Sequence, residues 1–232
     1  MPKVLHIGPC DSPGGMANVM RILAEHPPEG WDAELLSSHV VGSPWAKWRA
    51  YRRARATFSQ MLNDEARRPE IVHLHTAADW SWWRKRRFAK MAHKAGVPNI
   101  VHIHSGQFDT WLKSSTNRAS NFRKEIQSNR SKIIVLSVSW QERLFELIGD
   151  TEVIQNPLDP ELSLEEKGIR EENKILFLGR NDPVKGGAFA QNLVSELQHE
   201  HPGLILAMSG INTSEHSCVQ PLGWMTEEAK RK

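Results

Sequence analysis

Ile71-Val72-His73-Leu74-His75 and Ile100-Val101-His102-Ile103-His104 are the two stretches that decide the reading of this chain. Each is a short apolar run closed by a His-x-His. Residues i and i+2 of a strand point to the same face, so each run sets two imidazoles side by side near its C-terminal end. In an open parallel α/β sheet, ligands bind in the crevice outside those ends. The active site is expected there. Between the two runs lies an aromatic and basic segment, Trp80-Ser81-Trp82-Trp83-Arg84-Lys85-Arg86-Arg87.

Working outward, strand and helix patterns alternate. Lys3 to Gly8 reads as a buried first strand, and Met16 to His26 as a helix with Val19, Ile22 and Leu23 on one face. Ala33 to Val40 is expected as a strand, Trp45 to Ala66 as a long helix, and Ser81 to Ala95 as a helix closed by Gly96 and Pro98. A helix over Gln107 to Asn129, a strand over Lys132 to Leu136, a helix over Ser139 to Leu147 and a short strand over Thr151 to Gln155 complete the series. This rhythm means a doubly wound parallel sheet, here residues 1–155. Residues 156–173, with Pro157 and Pro160 and no clear periodicity, read as a linker. The pattern then restarts in residues 174–232, with a buried strand from Lys174, a helix to Glu200, and strands over Leu204 to Ser209 and Cys218 to Leu222. Thr226, followed by Glu227 and Glu228, has the pattern of a helix N-cap. The expectation is an α/β domain cut short, whose parent continues past Lys232 or whose open face a partner covers.

The composition, 39% hydrophobic and 25% charged, is that of a globular protein. Cys10 and Cys218 make neither a disulfide framework nor a zinc ribbon, which suits a reducing compartment. No signal peptide and no run long enough for a membrane span is present. A cytoplasmic location follows as the expectation. The net charge of +3 is unevenly spread: from Trp45 to Lys94, thirteen Lys or Arg face four Asp or Glu. Five of the nine tryptophans (Trp45, Trp48, Trp80, Trp82 and Trp83) fall in the same window. Arg mixed with Trp suits an interfacial helix on an anionic membrane, and it equally suits an ordinary surface helix with a few buried rings.

Two loops carry phosphate chemistry. Gly14-Gly15 follows the first strand and opens a helix, where free N–H groups and the helix dipole favour an anion; a plain tight turn has the same sequence. Its spacing is not that of a dinucleotide fingerprint. The second is more specific. Gly179-Arg180 ends a strand and Lys185-Gly186-Gly187 opens the next helix, so two cations and a helix N-terminus are expected to meet a diphosphate, a reading favoured over a surface loop with two solvated cations.

The ordered set of motifs resembles the retaining glycosyltransferases of family 4. It runs through Gly14-Gly15, Ile71–Thr76 with Ser81 and Arg84, Val101–Phe108, Val135–Trp140, Val153–Asp159, Ile175–Arg180 with Lys185-Gly186, and Leu222-Gly223-Trp224. The resemblance implies an α/β chain of two Rossmann-like doubly wound parallel-sheet domains (GT-B-like), the second incomplete. It also implies transfer of a sugar, with retention, from a nucleotide-sugar donor to a glycan or lipid-linked acceptor, as in polysaccharide biosynthesis. His104 matches the family's active-site histidine. Gly14, Gly15, Arg180, Lys185, Gly186, Ser209, Gly210, Gly223 and Trp224 match donor-binding positions, and His75, Ser81 and Arg84 lie on the acceptor or sugar side. No metal or other cofactor is expected. The family's Glu-x7-Glu motif would fall beyond Lys232, so activity of this chain alone is a separate matter. Peripheral contact with the inner face of an anionic membrane, through Trp45, Trp48, Trp82, Trp83 and neighbouring Arg and Lys, would bring the chain to a lipid-linked acceptor.

Two other classes compete. The two His-x-His pairs, helped by Asp79 and Asp109, suit a zinc hydrolase, although a histidine inside an apolar strand is more often a hydrogen-bonded core residue. The Trp/Arg window suits single-stranded nucleic acid, but that leaves the second phosphate loop unexplained, and no nucleic-acid partner is expected.

Overall fold

The computed structural model describes residues 1–160, 171–226 and 229. The chain divides into two compact units, Met1–Asp159 and Pro160–Lys232. Residues 161–170 of the expected linker, and most of the helix expected after Thr226, lie outside the described residues.

In the first unit the elements are β1 (Lys3–Gly8), α1 (Gly15–Glu25), β2 (Asp32–Ser37), α2 (Pro44–Asn63), β3 (Ile71–Thr76), α3 (Trp80–Lys94), β4 (Asn99–Ile103), α4 (Phe108–Lys113), α5 (Arg118–Ser128), β5 (Lys132–Val135), α6 (Val138–Ile148) and β6 (Glu152–Val153). The local chemistry explains their starts. Ser43 caps α2 by accepting from Ala46 N, with Pro44 in the first turn, and Ser137 caps α6 by accepting from Trp140 N. The single helix expected over 107–129 is two. Ser114 Oγ and Arg118 Nη1 both donate to Trp111 O, ending α4 before α5 begins. The strand expected to reach Val40 stops at Ser37. There Ser37 Oγ donates to His39 O and the chain turns away.

The six strands pair in parallel in the order β2-β1-β3-β4-β5-β6. The connections leaving β1 and β3 run to opposite sides, so the topological switch point lies between these two strands. Odd-numbered residues of β1, β4 and β5 and even-numbered residues of β3 build the main core. Leu5, Ile7, Leu74, Val101 and Ile103 meet Phe58, Phe88, Phe108, Phe122 and Leu144 there. Those side chains come from α2 to α6, so all five helices cover one face. The buried residues of α1 stand outside that core, and Met20 lies against Gly8, which places α1 on the opposite face. The winding is thus double, as right-handed crossovers from a 2-1-3 start require.

The second unit holds β7 (Lys174–Phe177), a 3-10 turn (Pro183–Lys185), α7 (Gly187–Leu197), β8 (Ile205–Ser209) and β9 (Val219–Gly223). Its strands are parallel in the order β7-β8-β9, with a core of Val194, Leu204, Leu206, Met208 and Val219. The strand from Lys174, expected to be buried, is an edge strand. It pairs only with β8 among the described residues and leaves Ile175 and Leu176 exposed. The fold class is α/β with parallel sheets, the second sheet small.

Candidate functional site

Strand register turns the two His-x-His runs into one continuous surface. His6 lies opposite His73, and His75 opposite His102. All even-numbered on β1 and β4 and odd-numbered on β3, these residues project from the face opposite the main core. Five imidazoles therefore tile one face beside the switch point. His73 and His75 stack at 4.2 Å between ring centroids, and His75 and His104 at 5.2 Å. His6 is absent from the sequence reading. Nothing in a lone histidine within a strand shows that the strand will sit beside two His-x-His runs; only the strand order does.

The ring nitrogens pair into two lines. One runs His6 Nδ1 to His75 Nε2 (3.1 Å) and His75 Nδ1 to His104 Nε2 (3.0 Å). The other joins His73 Nε2 to His102 Nδ1 (3.2 Å), and His102 Nε2 is buried without a partner. Burial holds all five neutral. It pushes the pKa of His6 and His102 down to about 4 and that of His104 to about 3, with neighbouring imidazoles adding to the shift for His102 and His104. His73 and His75 are pushed well below the ordinary value by burial first and by the other rings second. A neutral imidazole has one N–H, so each line must run donor to acceptor in a single direction. His104, at the end of β4, is half-buried, whereas His75 is 0% exposed.

His6, His73 and His75, and separately His75, His102 and His104, each bring three ring nitrogens within 4.8 Å, a spacing that could hold a metal ion. Neither set includes a carboxylate or thiolate. Asp79 Oδ1 accepts from Trp111 Nε1, and Asp109 Oδ2 accepts from Arg143 Nη2.

The other two residues expected on the acceptor side, Ser81 and Arg84, differ. Ser81 Oγ accepts from Ala77 N and from Thr76 Oγ1, fixing the loop after β3. Arg84 is half-buried, its Nε without a partner, and burial lowers its pKa. Gly14 has φ +135°, a backbone that favours glycine, and α1 starts after it with no side-chain cap. A Cβ at Gly14 or Gly15 would meet nothing within 4 Å, so this turn is open to approach.

Lys85, unremarked in sequence beyond its charge, is 1% exposed on α3. Its Nζ donates to Ser38 Oγ at 2.8 Å, and Ser38 Oγ donates to Gly8 O at the end of β1. Burial lowers its pKa to about 7. A signal existed: Lys85 shares the inward stripe of Trp82, Phe88, Ala89 and Ala92.

The Trp/Arg window separates into two populations. Trp45 and Trp48 on α2 are exposed, stack at 4.7 Å, and carry Arg52 over Trp48. Trp82, expected to face a membrane, is instead 5% exposed and packs on Phe122 at 4.5 Å. Trp83 packs against the core, with Arg87 3.7 Å from its ring centroid. Helical phase is the reason: Trp82 lies on the buried stripe, so it is not available for membrane contact.

In the second unit, Arg180 and Lys185 are exposed around the start of α7. Arg180 pairs with Asp182 at 3.3 Å, and Gly186 precedes the helix in left-handed conformation with no side-chain cap. Ser209 Oγ donates to Gly179 O and accepts from Gly179 N, both at 2.9 Å, so this hydroxyl clamps the end of β7. Gly210 is required by space as well as by its φ of +82°, because a Cβ would stand 2.4 Å from Gly179 O and 2.8 Å from Arg180 Cα. Gly223 has φ +63°, and Trp224 beside it is exposed.

The sequence profile of Glycosyltransferase Family 4 matches residues 14–162, a span that holds Gly14, the two His-x-His runs and the Trp/Arg segment. The chain belongs to Glycosyltransferase Family 4. Among curated proteins, this family 4 chain is similar to the glycogen synthases of two Mycobacterium tuberculosis strains, CDC 1551 / Oshkosh and ATCC 25618 / H37Rv. Each is 23% identical over 191 residues, which is 77% of this chain and 43% of the relative. The chain thus spans less than half the length of these relatives. Among crystal structures it is similar to the glycotransferase of kitacinnamycin (12% identity, TM-score 0.47, 99% of this chain and 73% of that one). It is also similar to the glycosyltransferase SnogD of Streptomyces nogalater (11% identity, TM-score 0.48, 97% and 73%).

Proposed function

We propose that this family 4 chain belongs to a glycosyltransferase that moves a sugar, with retention, from a nucleotide-sugar to a glycan or lipid-linked acceptor. The observation that carries the donor half is the start of α7, where two exposed cations stand beside a helix N-terminus that no side chain caps. Such a place suits a diphosphate: the N–H groups and dipole favour the charge, and Arg180 and Lys185 offset what accumulates on the leaving group. These cations take the leaving-group charge, a role that needs no metal. A donor phosphate oxygen helps to deprotonate the acceptor.

In the first unit, His104 meets the transferred sugar, with His75 behind it as a positioning residue and the open Gly14-Gly15 turn admitting the donor. Ser81 and Arg84 shape the acceptor side through the loop after β3. Gly210, Gly223 and Trp224 form the base and ribose side, and Ser209 holds its backbone. No helix among the described residues is long and apolar enough to cross a membrane. The exposed Trp45 and Trp48, with the neighbouring Lys47, Arg49 and Arg52, suit contact with the inner face of an anionic membrane, where a cytoplasmic enzyme would meet a lipid-linked acceptor.

Thermal-shift titration of the chain with UDP-, GDP- and ADP-glucose tests the donor reading. One nucleotide is expected to stabilise it, by about 2.7 kcal/mol at a hundredfold excess over its Kd. Arg180→Ala and Lys185→Ala should each remove most of that shift. If no member of the panel acts, or if both variants respond like wild type, the donor site is elsewhere. Stoichiometric zinc in the purified protein would instead favour hydrolysis at the histidine face.

A further inference from the structure

A groove of about 340 Å³ runs between α3 and α5 on the helical face of the first unit, away from the imidazole face. We propose that it is a binding subsite for a neutral oligosaccharide, with Trp80 as the stacking platform. The proposal rests on this side-chain set and not on the nucleotide-sugar reading.

The aromatic residues here have different roles. Trp82 and Phe122 form the floor and are buried. Trp83 carries Arg87 over its ring and Trp111 carries Arg118, so a cation covers each. Trp80 is 69% exposed and meets Trp83 edge-on at 5.5 Å. That edge contact holds the indole upright and leaves it a broad face for a ligand. A pyranose is flat and carries C–H bonds on its faces, with hydroxyls around the rim. It therefore fits an exposed indole flanked by directional polar groups.

The polar rim selects among ligands. Arg86 Nη1 and Glu125 Oε1 pair across the groove at 2.5 Å, and Glu125 Oε2 is buried without a partner. Trp111 Nε1 donates to Asp79 Oδ1 at 3.2 Å, and Arg118 Nη1 donates to Trp111 O. The charged lining residues are two arginines and two carboxylates, so the groove has no net charge despite the basic segment that forms one wall. An anionic membrane or a nucleic acid seeks a cation excess, which is missing here. An apolar peptide helix would take these four charges out of water and offer them no new hydrogen bonds. A neutral polyol matches both planar guanidinium donors and carboxylate acceptors and changes no charge balance. The volume is at the small end of ligand sites, which suits a short stretch of sugar rings rather than a folded partner.

Saturation-transfer NMR and tryptophan-fluorescence titration of the 232-residue chain test this. The probes are maltohexaose and cellohexaose, with a heparin hexasaccharide and phosphatidylserine vesicles as the anionic arms. At least one neutral hexaose should saturate, with transfer to its ring C–H protons. Trp80→Ala should weaken it about tenfold, at an unchanged circular-dichroism spectrum and melting temperature. UDP-, GDP- and ADP-glucose shifts measured on the same variant report separately on the donor site and should match wild type. Failure of both hexaoses to bind, equal binding by Trp80→Ala, or displacement of the hexaose by heparin or vesicles overturns the proposal.

Discussion

His75 Nδ1 lies 3.0 Å from His104 Nε2 while its Nε2 lies 3.1 Å from His6 Nδ1, so one fully buried imidazole links the end of β4 to the middle of β1. Each neutral ring donates once, and the line admits two settings: His104 presents Nδ1 either as donor or as acceptor, and His6 is set accordingly. His6 makes no ring contact with His104 among the described residues. Substituting His6 with Asn should nonetheless move the imidazole ¹⁵N shifts of His104, and His75→Phe should move them further. Unaltered His104 shifts in the His6 variant would show that the rings are packed side by side without a shared proton order.

The same face makes stability depend on pH in one direction. The folded pKa values of His6 and His102 are about 4 and that of His104 about 3, against 6.5 in the unfolded chain. Below pH 6.5 the unfolded chain binds protons that the folded face refuses. Stability is therefore complete above about pH 6.5 and falls as the pH drops toward 4. The slope is on the order of 1.4 kcal/mol per pH unit for each excluded proton. Urea denaturation at pH 7.5, 6.5 and 5.5 should show the loss steepening. A flat profile over this range would mean that the imidazoles accept protons in place.

Trp82 and Trp45 should behave as opposites. Trp82 is enclosed by Phe122, so Trp82→Ala should cost about 3–5 kcal/mol. Trp45 is 62% exposed, and Trp45→Ala should change stability by less than about 0.5 kcal/mol. With Trp48→Ala added, it should weaken binding to phosphatidylserine vesicles. Retained vesicle binding in that double variant would remove α2 as a membrane-facing element.

Much of this was legible in the chain. Strand β1 was readable to the residue, because Val4, Leu5 and Ile7 form an apolar run ended by Gly8. Family membership was readable from ordered motifs. What sequence left hidden depends on geometry across elements. His6 joins the histidine face only through the order β2-β1-β3, which sequence does not contain. The edge position of β7 was hidden for the same reason, since an apolar strand reads alike at an edge or in the middle. The split between Trp80 outside and Trp82 inside was available from helical phase, and local charge obscured it.

Gly210 tests how β7 and β8 meet. Its φ of +82° would cost an alanine about 1–2 kcal/mol by itself. The added Cβ would also press on Gly179 O and Arg180 Cα, which are backbone atoms with little room to yield. Gly210→Ala should destabilise the second unit by more than about 2 kcal/mol and leave the first unit unaffected. Hydrogen exchange should show lost protection in β7 and β8 but not in β1 or β3. Equal protection would mean that the loop after β7 yields easily, and that the Ser209 clamp on Gly179 does not fix its position.

Lys85 offers a test in a separate pH window. Its ammonium is buried and donates to the hydroxyl of Ser38, and burial first, with Arg84 second, lowers its pKa to about 7. The unfolded chain keeps the proton up to about pH 10.5, so between pH 7 and 10.5 it binds more protons than the folded one. Wild-type stability should therefore rise with pH in this window. Methionine has a similar length and no charge to desolvate, and Ser38 keeps its bond to Gly8 O. Lys85→Met should be more stable than wild type at pH 7 by on the order of 1 kcal/mol, with the gap narrowing by pH 9. Urea denaturation of both proteins at the two pH values decides it. A gap that ignores pH would show that the ammonium keeps its water in the folded state. A less stable variant at pH 7 would show that the hydrogen bond to Ser38 outweighs the cost of burying the charge.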